Sequence, residues 1–400
     1  MDLSYVIVSH NRRDTLLRTL GILERSTPLA EAQWETWVVD NASTDGTAEA
    51  IAEQFPKVNL LRRETNEGVW ARSLAFSQCR GRAVILLDDD SYPADAQTVT
   101  RSIAHLDAHP DLAAVVGRCV LPSGELEACA LPGVMLSGAV CMRKAALDQV
   151  GGFRREFFRK AGEYDLSFRL WEAGWQVARF EDVVYRHDKH AGGRSAELAF
   201  KMDLRNNLIL VERFFPPAYR RAYRKDFTQR YAAFARHHGH DRAMSEAIAE
   251  ARQWAQRERT AGRQTLSPAT LETVMQWGLQ KQRVGAWAEQ QEIRRVVIAD
   301  HSKNLYATFR AAQRNGLTVS AIAENHPALA GGTYRGVPVL PDREALCGRN
   351  EGVILSNVNP ARVEARVAEL RERWAGPLLT LWYPKTLGGV PEAPVEKLVA

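Results

Sequence analysis

The sequence predicts an α/β protein whose first part is a mostly parallel sheet with helices between the strands. Short apolar runs alternate with helical periods over residues 1–190, which favours parallel strands joined by right-handed crossovers. The run AVILLDD ends a buried strand on acidic residues. The same alternation returns near residue 294, after a helical stretch, and indicates a second, smaller α/β domain.

The elements of the first domain follow one another along the chain. The strands are predicted at YVIVSH, WETWVVD, VNLLRR and AVILLDD. Between them, RRDTLLRTLGILER has leucines at helical spacing, and STDGTAEAIAEQF opens with capping residues. Ligands of a mainly parallel sheet bind beyond the carboxyl ends of its strands. We therefore expect Asp40 and Asp88 to Asp90, which end strands, at the ligand-binding edge.

The rest of the chain divides into a helical segment and the second α/β domain. We expect residues 1–200 to form the first domain, 201–293 a helical connector and 294–400 a small Rossmann-like domain. In that domain the turn after the first strand reads ADHSKNLYA, without the glycines that let backbone and pyrophosphate approach closely. A scaffold, docking or oligomerisation role is favoured, with a bound small molecule or nucleotide as the alternative.

Composition excludes several classes of protein. The 400 residues are 45% hydrophobic and 25% charged, as in soluble globular proteins. No apolar run reaches the roughly 20 residues that cross a bilayer, and the N-terminus lacks the basic start of a signal peptide. Five scattered cysteines indicate a reducing, cytoplasmic setting. The net charge of +5 is spread along the chain, so we expect no nucleic-acid partner.

An aromatic stripe in the helical segment has two interpretations. The stripe consists of aromatic residues at helical spacing with basic residues between them: Tyr219, Tyr223, Phe227, Tyr231 and Phe234. Packing against the first domain is the expected role, because such a stripe belongs to a core more often than to a lipid contact. Peripheral attachment to the inner, anionic face of a membrane is the alternative, because aromatic and basic residues together suit that surface.

Three consecutive aspartates at a strand end need a positive partner, because like charges repel and are costly to remove from water. A solvated turn closed by Pro93 is the simpler reading. The turn SHNRRDTL after the first strand contains no glycine-rich phosphate loop. A bound Mg²⁺ or Mn²⁺ would then neutralise a nucleotide diphosphate. Alternation along an extended backbone puts Asp88 and Asp90 on one side and turns Asp89 elsewhere.

Five segments of the sequence are each weak evidence for a family, but their order along the chain is specific. The segments are VIVSHNRRDTLLRTL, VVDNASTDGT, NEGVWARSLAFSQCRGRAVILLDDD, GAVCMRKAALDQVGGF and GEYDLSFRLWEAGW, covering about residues 4–190. In these segments the chain resembles the family 2 inverting glycosyltransferases, which have the GT-A fold. The resemblance implies transfer of a sugar from a nucleoside-diphosphate sugar, UDP- or dTDP-linked, to a hydroxyl acceptor. Synthesis of a cell-surface polysaccharide or glycoconjugate is the implied setting.

The resemblance implies a binding role for particular residues. Asp88 and Asp90 match the family's metal-binding DxD-type motif, and His187 would join the metal or the diphosphate, unless it is a surface residue like His190. Asp40 would contact the uracil or ribose, with a helix-capping role as its alternative. The remaining residues expected near substrate are Ser9, Asn11, Asn41, Asn66, Gly68, Arg72, Asp89 and Gly138. For Arg72 an exposed helix position is the alternative, and for Gly138 a simple turn.

The catalytic base is implied by the family's acidic motif, which usually has Glu-Asp, one further residue and Asp-Leu. Here the motif reads AGEYDLSFRL, so Glu163 takes the place of the second acid and Gly162 replaces the first. Glu163 is the favoured base and Asp165 is the reserve. The base would remove the acceptor hydroxyl proton during attack opposite the leaving diphosphate, and the cation would stabilise charge on the leaving phosphate.

Two other functions stay open at this point. A nucleotidyltransferase shares the sheet and the acidic metal site, but a basic glycine-rich segment expected near its N-terminus is absent. A catalytically silent protein that binds nucleotide sugars or serves as a scaffold is left open by the missing first acid at Gly162.

Overall fold

The computed structural model describes residues 1–189, 195–347 and 352–381. The chain divides into two compact units: residues 1–129 with 133–195, and residues 130–132 with 196–400. The helical segment and the small sheet belong to the same unit. The division predicted from the sequence, with boundaries at residues 200 and 293, stays a prediction.

The first unit contains a mixed, mostly parallel sheet. Its strands are β1 (Leu3–Ser9), β2 (Trp34–Asp40), β3 (Asn59–Arg62), β4 (Ala83–Asp88), β5 (Ser91–Pro93), β6 (Leu112–Val120), β7 (Leu126–Glu127), β8 (Val140–Arg143) and β9 (Gln176–His187). They lie in the order β3-β2-β1-β4-β8-β6-β9-β5, with β7 paired to β6. Strands β3, β2, β1 and β4 are parallel, and β8 is antiparallel to both of its neighbours. The predicted α/β class with a mostly parallel sheet is confirmed.

The helices of this unit cover the sheet. They are α1 (Arg13–Ser26), α2 (Thr47–Gln54), α3 (Ser73–Phe76), α4 (Ala96–Ala108), α5 (Lys144–Val150) and α6 (Gly162–Glu172). Helix α1 buries Leu16, Leu20 and Leu23 on one face, as their spacing predicts. Asp95 is the N-cap of helix α4, and its side chain accepts a hydrogen bond from the backbone N–H of Thr98.

The register of the strands places the polar residues at one edge of the sheet. Ser9 pairs with Asp40 across β1 and β2, and Val8 pairs with Asp88 across β1 and β4. The apolar residues before them are buried, as expected for central parallel strands. Strand β5 pairs antiparallel with the end of β9, where Ser91 faces His187. That pairing brings His187 beside the aspartates that follow β4.

The second unit combines helices with a small sheet. Its elements are α7 (Ala196–Phe214), α8 (Pro217–His238), α9 (Asp241–Ala261), α10 (Pro268–Met275), α11 (Trp277–Gln290), β10 (Arg295–Ala299), α12 (Leu305–Arg314), β11 (Thr318–Ala323), β12 (Thr333–Tyr334), β13 (Val337–Leu340), α13 (Asp342–Ala345), β14 (Gly352–Leu355), α14 (Val363–Arg371) and β15 (Leu378–Thr380). The strand order is β12-β13-β11-β10-β14-β15, and all pairs except β12–β13 are parallel. This order is consistent with the predicted Rossmann-like domain.

The aromatic stripe of α8 packs against other residues of the second unit. Tyr219 stacks on Trp277 with ring centroids 4.0 Å apart, and the buried Tyr223 meets Tyr306 edge to face. These contacts of the stripe lie within the second unit, whereas the partner expected from the sequence was the first domain. Membrane attachment stays a prediction. Among the described helices, none combines the length and the apolar character that crossing a bilayer needs.

Candidate active site

Asp88, Asp90 and His187 form a cluster at the carboxyl edge of the first sheet. Each offers one ligand atom within 4.8 Å of the others. Two carboxylates and an imidazole are a donor set that suits Mn²⁺, and the carboxylates also suit Mg²⁺. The residues expected to bind a metal are thus brought together, and their chemistry fits a divalent cation.

Asp88 is the member of the cluster that faces outward. Its side chain is 38% exposed, whereas the side chain of Asp90 is buried. A Cβ atom added to Gly138 would lie 2.8 Å from Oδ2 of Asp88. A side chain at position 138 would therefore crowd this carboxylate. Glycine at this position leaves room for the side chain of Asp88, so it is more than a simple turn residue.

Asp90 is held in its ionised form by two cationic partners. Its Oδ2 accepts a hydrogen bond of 2.7 Å from Arg12, and its Oδ1 lies 3.1 Å from Nε2 of His187. Burial by itself raises the pKa of Asp90, but His187 and Arg12 together hold that pKa below its usual range. Arg12 was missed in the sequence, although it lies in the turn SHNRRDTL that replaces a glycine-rich loop.

Asp89 is outside the cluster, as predicted, but it lies in the turn between β4 and β5, where the backbone is not an extended strand. Its two carboxylate oxygens accept hydrogen bonds from Arg12 and Ser9, at 2.6 and 2.9 Å. Burial raises the pKa of Asp89 to about 7, against the effect of Arg12. Asp89 and Ser9 therefore secure the turn after β1, and their predicted contact with substrate stays a prediction.

His187 is oriented by a carboxylate that the sequence analysis did not single out. Nδ1 of His187 lies 2.7 Å from Oε2 of Glu127, which also pairs with Lys189. Burial lowers the pKa of His187, but its contacts with Asp90, Cys119 and Glu127 raise it to about 12. A carboxylate on one ring nitrogen leaves the other directed at the cluster, the usual support for a metal-binding histidine. Strand β7 is only two residues long, so no sequence pattern indicates Glu127.

Arg72 is buried rather than exposed on a helix. Its guanidinium donates to Oδ1 of Asp88 at 2.8 Å and to the carbonyl of Ser137 at 3.0 Å. Arg72 therefore pairs with an aspartate of the cluster, and the alternative of an exposed helix position is wrong. The hydroxyl of Ser137 in turn donates to Oε1 of Glu163 at 3.0 Å. One chain of contacts thus connects the cluster with the candidate base.

Glu163 and Asp165 lie in the first turn of α6 but in different environments. Glu163 is half-buried and accepts the hydrogen bond from Ser137. Asp165 is fully buried, with Oδ2 held by Arg169 at 2.8 Å and Oδ1 lying 3.7 Å from Arg154. Of the two, only Glu163 is accessible to an acceptor hydroxyl.

Gly162, which replaces the first acid of the motif, is packed against apolar side chains. A Cβ atom there would lie 3.3 Å from Cδ1 of Phe153, 3.6 Å from Cβ of Phe157 and 3.7 Å from Cγ2 of Val69. A carboxylate at this position would enter an apolar surrounding. The departure from the family's motif therefore agrees with the local packing.

The ends of β1 and β2 form the edge where a base and ribose are expected. Asp40 is buried, and its Oδ1 accepts a hydrogen bond from the backbone N–H of Ser43 at 3.1 Å. Oδ1 of Asn11 accepts one from the backbone N–H of Thr44 at 2.7 Å. These contacts shape the loop after β2 and bring Asn11 beside it. The helix-capping alternative for Asp40 is wrong, because α2 begins after Gly46 and has no side-chain cap. The contact of Asp40 with a nucleotide stays a prediction.

Asn41 joins the loop after β2 to the loop after β3. Its amide donates to Oδ1 of Asn66 and to the carbonyl of Gly68, and its Oδ1 accepts from the backbone N–H of Glu67. Gly68 has φ +65°, and a Cβ atom there would lie 2.0 Å from the carbonyl oxygen of Phe158. Asn41 therefore orders this edge, and Gly68 is required by the close approach of two backbones.

The N-terminal part of the chain matches the model of a known protein family. Residues 4–128, which include β1 to β4 and all three aspartates, match the model described as glycosyl transferase family 2. These residues form a family 2 glycosyltransferase domain.

Relatives of the family 2 domain match it over limited lengths. The Bacillus subtilis protein TuaG, named a teichuronic acid biosynthesis glycosyltransferase, is 36% identical over 93 residues, which are 22% of this chain and 35% of that protein. The N-acetylglucosaminyl-diphospho-decaprenol L-rhamnosyltransferase of Mycobacterium tuberculosis is 26% identical over 48% of this chain and 78% of that protein. The chain thus spans about a third of the length of TuaG.

One solved structure is similar over a larger part of the chain. The crystal structure of Staphylococcus aureus TarS in complex with UDP-GlcNAc aligns with 79% of this chain and 93% of that chain, at 18% identity and a TM-score of 0.48. This similarity is too low to transfer details of a site.

The two histidines named from the sequence differ in outcome. His190, named with His187 as a surface alternative, lies outside the described residues. His187 itself is buried, so it belongs to the cluster and not to the surface.

Proposed function

We propose that the chain is an inverting, metal-dependent glycosyltransferase that uses a UDP- or dTDP-linked sugar. The observation that carries the proposal is the cluster of Asp88, Asp90 and His187 at the carboxyl edge of the sheet. Mg²⁺ or Mn²⁺ bound there would neutralise the diphosphate of the donor and stabilise charge on the leaving phosphate. Asp88, Asp90 and His187 would hold the cation.

We assign the remaining steps of transfer to residues around this cluster. Arg72 holds Asp88 in place, and Glu127 orients His187. Glu163 removes the proton from the acceptor hydroxyl as that oxygen attacks the anomeric carbon, a contribution of about 10²–10⁴ in rate. Attack occurs on the side opposite the leaving diphosphate, which gives inversion. Asp40, Asn11 and Asn66 border the place proposed for the base and ribose, with Gly138 near the transferred sugar.

The acceptor is proposed to be a hydroxyl group of a cell-surface polysaccharide or glycoconjugate. The names of two relatives support this class: one refers to teichuronic acid biosynthesis and the other to a diphospho-decaprenol acceptor. Because sequence similarity to them covers less than half of this chain, the sugar and the acceptor need a direct assay.

The proposal is tested by UDP binding to the full chain, measured by calorimetry with Mn²⁺ and again with EDTA. We expect EDTA to abolish binding to the native protein. Asp88→Asn, which keeps the shape and removes the charge, should weaken Mn²⁺-dependent binding by about tenfold or more, since metal sites lose 10- to 100-fold even when supporting residues change. Asp148→Asn is the matched control, because Asp148 is exposed and pairs with Lys144 away from the cluster.

Two outcomes would contradict the proposal. One is UDP affinity that EDTA leaves unchanged. The other is a folded Asp88→Asn protein that binds UDP with Mn²⁺ as the native protein does. Binding without hydrolysis of any nucleotide sugar, or transfer from it, would favour the silent binding protein.

A further inference from the structure

A cavity of about 460 Å³ lies in the second unit, between helix α8 and the loop that connects β11 with β12. This volume falls within the range of small-molecule sites in proteins. Arg230 and Arg236 line it from α8, and His301, Leu329 and Tyr334 line it from the small sheet and its loops. The cavity shares no lining residue with the cluster proposed for catalysis, and the following inference goes beyond the proposed function.

The charges around the cavity favour an anion. In the part of the chain that the structure describes, Arg230 and Arg236 have no carboxylate within ion-pair distance, and the guanidinium of Arg230 lies over the ring of Phe234. Asp226 also lines the cavity, but its carboxylate is engaged by Arg335 at 2.7 Å and by the hydroxyl of Tyr334. The acidic group is thus neutralised within the protein, and the two arginines supply unbalanced positive charge.

His301 adds a polar group without a protein partner. Its Nδ1 is buried and has no hydrogen bond to any described residue, although most buried polar atoms in proteins are paired. Burial, together with the nearby Arg230, lowers the pKa of His301 to about 4. The ring is therefore neutral near pH 7 and can donate or accept a hydrogen bond inside the cavity.

The usual dinucleotide position beside this cavity is filled by the protein's own side chains. The hydroxyls of Ser302 and Ser356, which follow β10 and β14, lie 2.8 Å apart. The amide of Asn304 bonds to Gln280 and to the carbonyl of Ser356. With no glycine in the turn and these groups satisfied by one another, a pyrophosphate is not expected there. Nδ1 of His301, which has no such partner among the described residues, belongs instead to the cavity beside α8.

We propose that this cavity binds a small phosphorylated molecule, with its phosphate held by Arg230 and Arg236. A phosphomonoester carries −1.5 to −2 charges near pH 7, which matches two guanidinium groups better than a single carboxylate does. His301 supplies a further hydrogen bond. Leu329, Val339 and the ring of Tyr334 offer an apolar wall for the organic part of the ligand.

The test is isothermal calorimetry of the full chain in EDTA, so that a metal-dependent donor site does not contribute. The probes are inorganic phosphate, glucose 6-phosphate and glucose. We expect glucose 6-phosphate to bind more tightly than phosphate, and glucose not to bind. Arg230→Gln and Arg236→Gln should each weaken glucose 6-phosphate binding by about tenfold, the effect of losing one charge-assisted hydrogen bond.

Two control variants show whether binding depends on this cavity. Arg221→Gln changes an exposed arginine of α8 that does not line the cavity, so binding should stay within twofold of the native value. Asp88→Asn should also leave it unchanged, which makes the result independent of the proposed transfer reaction. His301→Phe fills the cavity while both arginines remain, and it should weaken binding even if an arginine variant folds poorly.

The inference is overturned if neither phosphate compound binds at millimolar concentration to the folded native chain. It is equally overturned if glucose binds as well as glucose 6-phosphate, or if Arg230→Gln and Arg236→Gln bind the phosphate compounds as Arg221→Gln does.

Discussion

Three adjacent aspartates of this chain have three different environments. Asp88 is partly exposed beside Arg72, Asp89 is turned towards Ser9, and Asp90 is buried between Arg12 and His187. Their separation follows from the turn that Asp89 and Asp90 form between β4, which ends at Asp88, and β5. The three charges are tolerated at one strand end because two arginines and one histidine surround them.

The first prediction concerns the two acids of helix α6. Glu163→Gln removes the proton acceptor and keeps the shape, so transfer should fall about 100-fold or more while UDP binding stays near native. Asp165→Asn leaves Arg169 without its buried carboxylate and should lower the free energy of unfolding by about 3 kcal/mol. Transfer assays with the true acceptor and urea unfolding distinguish the two effects.

Each variant serves as the control for the other. If Asp165→Asn is stable but loses transfer, and Glu163→Gln turns over normally, Asp165 is the base and the proposed role of Glu163 is wrong.

The second prediction uses the pKa of His301, which burial lowers from 6.5 to about 4. Between these two pH values the unfolded chain binds more protons than the folded one, so the free energy of unfolding falls as pH falls. The charged groups near His301 are Arg230, Lys303 and Asp226, which is neutralised by Arg335, together with Glu324, whose carboxylate accepts the backbone N–H of His301. Between pH 7 and pH 5 the loss attributable to His301 should be about 2 kcal/mol.

Urea unfolding of the native chain and of His301→Phe at pH 7 and pH 5 checks this value. His237→Gln is the control, because His237 is an exposed histidine near the end of α8. An equal pH dependence in the native chain and in His301→Phe would show that His301 does not titrate as expected.

At the scale of elements, helix α6 shows how a motif can change without disturbing its helix. Gly162 is the first residue of α6 and is surrounded by Phe153, Phe157 and Val69. Glu163, the acid of the motif that faces Ser137, is present in α6. The other acid, which would enter the apolar core, is replaced by Gly162. Packing therefore decides which acid of the family's motif this chain can carry.

The third prediction follows from that packing. Gly162→Asp restores the family's first acid, but it buries a carboxylate without a partner, which costs about 2 kcal/mol or more. We expect lower stability and no gain in transfer. Gly162→Ala adds only the Cβ atom and is the matched control, with a smaller loss. Thermal unfolding and a transfer assay measure both effects, and a gain in transfer by Gly162→Asp would contradict the packing argument.

At the scale of the whole molecule, the helical segment and the small sheet depend on each other. Trp287 of α11 is buried and lies against Gly352, where an added Cβ would approach its ring to 2.4 Å. Gln280 bonds to Asn304, and Tyr223 packs on Tyr306. These contacts join the helical segment and the small sheet within the second unit.

The fourth prediction compares two truncated chains. Residues 1–195 should fold and keep Mn²⁺-dependent UDP binding, because all residues proposed for the site precede residue 196. Residues 1–293 should be less stable and bind a dye for exposed apolar surface, since α8 and α11 lose their partners. Thermal unfolding, dye fluorescence and UDP calorimetry test this prediction. If the 1–293 chain unfolds cooperatively and does not bind the dye, the helices fold independently of the small sheet.

The sequence by itself determined the class of fold, the order of strands and helices along the chain, and the edge at which polar residues collect. These properties depend on local periodicity and on residues that end strands, so they can be read from short segments. The DxD-type aspartates, His187 and Glu163 were found from the family's motifs, and the structure places the first three in one cluster.

Tertiary structure alone decided how those residues are supported. Arg12 reaches Asp90 across 78 residues of sequence, and Glu127 reaches His187 across 60. Burial of Asp165 and the cavity beside His301 likewise depend on elements distant along the chain. Pairing and burial are long-range properties, created when β5, β7 and β9 come together or when α8 covers the small sheet, and no local pattern encodes them.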